Sequence, residues 1–394
     1  MIDRAGLHEW RVIGAARPAL PLLLTAGRLA TPLRKVPRLG WVVADPVTAR
    51  TILNDPAHFN LLGEGGVGHM WAQLLGDWVN DVFDGPGHHS LRKQTRDLFT
   101  EESAKRLADR VLGPRLAEAG ADLAAGRTVD VADLARVLVG RIVADLLHLH
   151  TAGTDQSYRE IFATGEQLAT LALHASTSTH LAPSTITRGR EIVARLTANV
   201  PEAFRTAPPT TVLGRCRELG VEQQHAQGLS TLLMVAGTET AASAMARIVA
   251  LLHDTGAQHD VLKDQELIPD AVREGLRVTT PAAAIGRSVT ADVTIAGRTL
   301  RAGERVLILT HAANNRVGGF SLDRGYLPEQ RQLWFGAGRH LCLGAPLARA
   351  EIGGLLRMVA GSGRSWTIRG RRYRRRVLIP SYESLPVTLA PAGP

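Results

Sequence analysis

Cysteine is almost missing from this chain, with two in 394 residues. Two cannot form a disulfide framework, so a stapled secreted scaffold is excluded and a reducing cytoplasm is expected. Lysine is also scarce. Nearly all of the 46 basic residues are arginine, and against 37 Asp+Glu they leave a net charge of +9. That balance is compatible with nucleic acid, an anionic membrane or an acidic protein partner, and it does not choose among them. Long apolar runs are absent near the N-terminus: "PALPLLLTAG" (18–27) is broken by Pro18 and Pro21 and followed by Arg28. It falls far short of the ~20 residues of a span, so neither an export signal nor a transmembrane segment is expected. Repeats, low-complexity linkers and a clean domain boundary are missing too.

What is present reads as a globular protein with a large core, 45% apolar and 21% charged. Length alone suggests two or three domains. "GWVVADPVTARTILND" (40–55) reads as strand, turn and helix. From 100 to 260 apolar residues recur at three- and four-residue steps, the period of helices. "LSTLLMVAGTETAASAMARIVALLH" (229–253) is apolar on nearly every face, which marks a central buried helix. "DVTIAGRTLRAGERVLILT" (292–310) has strand composition and glycine turns, and the tail from Trp366 reads as short strands. The fold class is mainly α with a minor β part near 40–45, 285–310 and 366–390. "GEGGVG" (63–68) matches a dinucleotide fingerprint by letters but lacks the strand and helix context, so it reads as a loop. "RGRRYRRR" (369–376) offers one aromatic for stacking and reads as a solvated face, with docking of an acidic electron donor as the functional alternative.

One cysteine is singled out by its setting. In "FGAGRHLCLG" (335–344), Cys342 is surrounded by Gly336, Gly338 and Gly344 and precedes the helical text "APLARAEIGGLL". A helix start carries partial positive charge and free N–H groups, and glycines let amides approach a sulfur. Both favour a thiolate, which can serve as nucleophile, metal ligand or redox thiol. A buried structural cysteine is the plain alternative, and Cys216 is assigned that role.

"FGAGRHLCLGAPLARAE" resembles the haem-binding loop of the cytochrome P450 family, F-x-x-G-x-[HR]-x-C-x-G, with Phe335, Gly338, His340, Cys342 and Gly344 on the pattern. "AGTET" (236–240) resembles the family's oxygen-activation segment, "EGLR" (274–277) its E-x-x-R, and "DGPGHHSLRK" (84–93) the segment of soluble bacterial members that supplies a His and an Arg. The resemblance spans roughly 40–390. It implies a single haem-thiolate domain over 1–394, with haem b between the central long helix and the cysteine-loop helix and Cys342 as axial ligand. Phe335, Gly336, Gly344 and Ala236 would contact the haem. His88, Arg92, Arg287 and His340 match the positions that hold its propionates, with His89 as the alternative to His88. Glu239 and Thr240 would serve proton delivery; the alternative is a Thr bonded back to its helix and a Glu paired with an Arg. Gly237 would let the helix bulge.

In the family a second Arg, just before a Phe, joins the E-x-x-R pair; here Gly319 precedes Phe320, so Arg316 or Arg324 is expected to fill the gap beside Glu274 and Arg277. The implied activity is monooxygenation of an organic, hydrophobic, natural-product-like substrate. Electrons would come from a separate ferredoxin or flavodoxin-type donor with its reductase, and no nucleic acid would bind. Pocket walls are expected from 60–83 (Trp71, Trp78), 160–185, Leu232 and Ala236, 279–286 and 379–384. The same fold could instead catalyse oxidative coupling or peroxide-driven oxidation, and a haem-free binding module is the alternative of a different class.

Overall fold

The computed structural model describes residues 3–29, 32–171 and 179–391. The expected segment 160–185 therefore lies in part, at 172–178, outside the described residues. Helices dominate, and the longest, Gln223–Thr255, runs through the middle. It packs against Val131–Leu146, Asp155–Leu171, Ile268–Thr279 and Ala345–Ala360. From Ala241 to Leu252 every residue of it is buried, which is why its sequence shows no polar stripe. By length and composition this helix could cross a membrane, contrary to the sequence expectation, but 67% of its most apolar window is buried inside the protein, the setting of a core helix.

The β part is larger than expected. A five-stranded sheet has the order Leu33–Val36, Gly40–Val43, Arg305–Ile308, Ile285–Val289, Phe59–Asn60. Only the Gly40–Val43 and Arg305–Ile308 strands run parallel, with Trp41 opposite Val306. Three short strands, Val129–Asp130, Pro386–Leu389 and Trp366–Ile368, form a second sheet, and two hairpins complete the set. Strands at 33–36, 59–60 and 129–130 were not expected; two of them are two residues long, below the reach of a period-two pattern. The "GEGGVG" stretch is a loop followed by the helix Val67–Leu75, and the strand before it pairs antiparallel with Ile285–Val289, so no nucleotide-binding unit exists there.

Two placements matter for the site. The helix Ala345–Ala360 begins at Gly344, with Pro346 in its first turn, and so starts just behind Cys342. In Ile285–Val289, Arg287 pairs with Val306, and period-two alternation turns Ile285 and Arg287 to one face.

Candidate active site

The cysteine loop is folded by its own backbone. Phe335 N donates to Gln332 O at 2.7 Å, Leu341 N to Gly338 O at 3.1 Å and Cys342 N to Phe335 O at 2.9 Å. Gly336 (φ +79°) and Gly338 (φ +66°) sit in the left-handed region, and a Cβ on Gly338 would run into the Leu53 carbonyl. Gly344 has no such constraint; its amide instead hydrogen-bonds the Cys342 sulfur. Cys342 has exposed area, yet protein mass surrounds it on its other sides. Desolvation raises its thiol above the ordinary value, and the Gly344 amide and the charges of Arg92 and Arg349 act against this. Arg349 also lies over the Phe335 ring, 5.6 Å from its centroid.

Above the sulfur lies a cavity of about 260 Å³. Ala236, Gly237 and Thr240 of the central helix form one wall; Phe335, Gly336 and Cys342 form the other. Pro281, Ala282 and Ile285 close it from the side, so the expected 279–286 segment does line it. Trp71 and Trp78 do not; they pack with Met70, Leu74 and Leu232 into a separate apolar cluster.

Charged groups gather at one edge. Arg287 lines the cavity, is buried, and donates Nη1 to the Gly286 carbonyl at 2.8 Å. Burial pulls its guanidinium down to about 10, with only the Asp84 charge acting against this. His340 also lines the cavity, but its Nε2 is 2.8 Å from Asp84 Oδ1. Its neighbour ring is His88, 4.8 Å away between centroids and pushed down to about 4, first by desolvation and then by His340, Arg92 and Arg339. Arg92 donates to the Leu341 carbonyl at 2.7 Å and lines a groove on the outer side of the loop, as does His89. Asp84 is the residue that sequence reasoning missed. It accepts from Leu61 N at 2.7 Å and binds His340 across 256 residues, a pairing that no local spacing announces.

Thr240 faces the cavity with its hydroxyl donating to Ala236 O at 2.8 Å, the back-bonded arrangement. Glu239 faces the other way. Adjacent residues of a helix diverge, and Glu239 shares the rear face with Ala242, Ser243 and Ala246. Its carboxylate oxygens have no hydrogen-bond partner among the described residues, and it forms no ion pair with an arginine, so the acid and the alcohol do not converge on one point. Burial, then the nearby Glu166, push Glu239 up to about 8; Arg374 and the Ile379 amide oppose this without a well-aligned bond. The helix is continuous through Gly237, with no bulge. Glu351, another buried acid lining the cavity, was also missed; burial pushes it up to about 8.

Behind the loop the E-x-x-R pair is formed: Arg277 Nε and Nη2 donate to the two Glu274 oxygens at 2.8 and 2.7 Å. Arg324 supplies the third member, Nε to Glu274 Oε1 at 2.9 Å, and also donates to Gly319 O. A side chain at Gly319 would displace the Asp3 carboxylate that caps the first helix, because a Cβ there meets its oxygens. Arg316 takes no part in these bonds to Glu274.

A group that fits this site must be apolar in its body, present an anionic edge to the buried Arg287, and accept a cysteine sulfur from below. These are the demands of an iron porphyrin with propionates, and they define the protein side of a thiolate-bound haem site. Residues 248–359 match the family model described as Cytochrome P450. The chain is 30% identical over 333 residues to Cytochrome P450 105A3 of Streptomyces carbophilus, covering 80% of this chain and 77% of that one. It is 33% identical over 282 residues to Mycinamicin IV hydroxylase/epoxidase of Micromonospora griseorubida, covering 68% of each. Among solved structures, a mutant of P450 EryK in complex with erythromycin B aligns with a TM-score of 0.77 at 25% identity, over 96% of this chain and 98% of that one. The chain belongs to the cytochrome P450 family: it is a P450 monooxygenase, and its cofactor is haem b.

Proposed function

We propose that this P450 inserts one atom of O₂ into a neutral, largely apolar organic molecule of the natural-product kind, with Cys342 as the axial ligand. The observation that carries the reading is the cavity itself, with a cysteine sulfur on one wall and Ala236, Gly237 and Thr240 opposite. Iron held by a thiolate receives electron density from sulfur, which favours O–O cleavage. The protein's part is positioning and protons. Arg287 offers its buried cation to a propionate, with His88 and Arg92 as further donors; His340 serves that edge only through the face that Asp84 leaves free. Thr240 can turn its hydroxyl from Ala236 O toward the cavity, exchanging one hydrogen bond for another. The walls from Pro281 to Ile285 hold apolar substrate and exclude water.

Electrons come from a separate acidic ferredoxin or flavodoxin-type donor. The supporting feature is a groove of about 710 Å³ on the outer side of the cysteine loop, lined by Arg92, Lys93, Arg96, Arg339 and Arg349. In the arginine run 369–376, Arg372, Arg375 and Arg376 are exposed, while the other three arginines have partners. Arg371 is bound to Asp254, Arg369 to Thr388 and Arg374 to Glu166.

The test is product formed and peroxide released per reducing equivalent. Thr240→Ala should bind substrate and accept electrons as before, yet divert most oxygen to peroxide. Unchanged coupling would contradict the Thr240 role and favour oxidative coupling, in which substrate hydroxyls supply the protons.

A further inference from the structure

Beside the cysteine loop lies a groove of about 390 Å³, separate from the cavity above Cys342. Trp334 and Leu276 border both spaces, so the two share a wall. The helix Ile268–Thr279 forms one side of the groove and the stretch from Arg324 to Trp334 the other. Its charges do not balance, for five arginines and three acids line it. Asp270 pairs with Arg273 at 2.8 Å, Glu274 with Arg277 and Arg324 at 2.7 and 2.9 Å, and Glu101 with Arg349. Arg331 is left over: it is exposed and pairs with no acid among the described residues. Arg50 donates to the Arg331 carbonyl and brings a second cation close. Burial lowers the Arg50 guanidinium; the Tyr326 phenol opposes this and the Arg331 charge adds to it. Three side chains of the groove also carry a shielded polar atom with no hydrogen-bond partner among the described residues. Arg273 Nε and Trp334 Nε1 are donors, and Gln330 Oε1 is an acceptor. Gln330 is buried, and its amide nitrogen is held by the Ala313 carbonyl at 3.2 Å. Tyr326, 61% exposed, offers an aromatic face at the mouth, and Leu276 and Leu327 add apolar surface.

We propose that this groove is a second ligand site, which takes a small aromatic carboxylate with a hydrogen-bond donor on its ring. The carboxylate answers the unpaired Arg331 cation and the free indole N–H of Trp334. The ring packs on Tyr326 and Leu327, and its donor goes to Gln330 Oε1. Other occupants fit less well. A neutral apolar molecule would leave the cation and the orphaned donors unanswered, and burying such groups without partners is costly. A bare inorganic anion would leave the Gln330 acceptor unpaired and the aromatic face uncovered. The volume suits one small ring system, at the lower end of the ~300–1,000 Å³ of small-molecule pockets. Nothing in this site depends on what is oxidised above Cys342, because Arg331, Tyr326 and Gln330 are not walls of that cavity. Nor do these three border the basic groove offered to the electron donor.

Titration calorimetry on the haem-loaded full chain tests this, with 4-hydroxybenzoate as the probe and phenol and inorganic phosphate as comparisons. The parent should bind 4-hydroxybenzoate at least roughly tenfold more tightly than either, since only it carries both the anion and the ring. Phosphate binding equally well would show a bare anion site, and phenol binding equally well would show that the cation is unused; either result overturns the proposal. Arg331→Ala should weaken 4-hydroxybenzoate by roughly tenfold, with Arg331→Lys restoring part of the loss. Tyr326→Ala should weaken it several-fold. Both side chains are exposed, so these variants should fold as the parent does. Parent-like affinity in Arg331→Ala and Tyr326→Ala would place the acid elsewhere, for instance above Cys342, and would overturn the site. Benzoate, which lacks the ring donor, should bind the parent more weakly than 4-hydroxybenzoate does, and Gln330→Leu should abolish that difference. A difference that survives Gln330→Leu would overturn the role given to its carbonyl. None of these measurements involves turnover, so their failure is distinct from failure of the monooxygenase reading.

Discussion

A guanidinium buried with the Gly286 carbonyl as a hydrogen-bond partner, as at Arg287, weighs on stability until an anion joins it. Arg287→Met should therefore leave the haem-free protein as stable as the parent or more so, while haem washes out faster; thermal melts of both forms and haem retention on dialysis read this. Parent-like haem retention would remove Arg287 from the propionate site. Glu351 makes a pH prediction. Its carboxyl, pushed from 4.5 to about 8, keeps a proton in the folded state that the unfolded chain releases. Stability from this group is thus lost as pH rises from about 4.5 toward 8, by an amount on the order of a few kcal/mol. Glu351→Gln should melt higher than the parent at pH 8 and equally at pH 4, and equal melts at both would contradict the assignment. Residues of this kind explain what sequence hid. Cys342, Thr240 and Arg287 were legible because type and motif position announced them. Asp84, Glu351 and the rearward turn of Glu239 were not, because burial and partners hundreds of residues away decide them.

Elements were legible where they were long. The central helix and the helix behind Cys342 follow from apolar periodicity and from the Gly344–Pro346 start, whereas two-residue strands at 59–60 and 129–130 carry too little pattern. The 318–325 connection was legible in part: a cation was due beside Glu274, and two arginines competed for the place. Arg324 holds it, and the loop is built round that choice, with Gly319 pressed against the N-cap Asp3. Arg324→Ala should cost about 2 kcal/mol, as loss of charge-assisted hydrogen bonds does. Arg316→Ala should cost little, and Gly319→Arg should not rescue Arg324→Ala because its Cβ would push the Asp3 carboxylate off the first helix's N-cap. Denaturant melts of the four proteins decide this, and rescue by Gly319→Arg would show that the loop adapts more freely than its packing implies.

At the scale of the whole molecule, a net charge of +9 and the basic groove outside the cysteine loop should steer an acidic donor. The rate of association should fall steeply with salt, since exposed charges are screened over roughly 8 Å at physiological ionic strength. Lys93→Glu with Arg96→Glu should slow it at low salt and leave the high-salt rate nearly unchanged; a rate indifferent to salt would mean apolar docking. All of this depends on one bond between Cys342 and iron, beneath a cavity that the central helix roofs. The most direct measurement is the absorbance spectrum of the reduced, carbon monoxide-treated protein beside that of Cys342→Ala. The parent should show the strongly red-shifted Soret band of thiolate-ligated haem, and the variant should lack it. A parent protein without that band, or a variant that keeps it, would contradict the assignment.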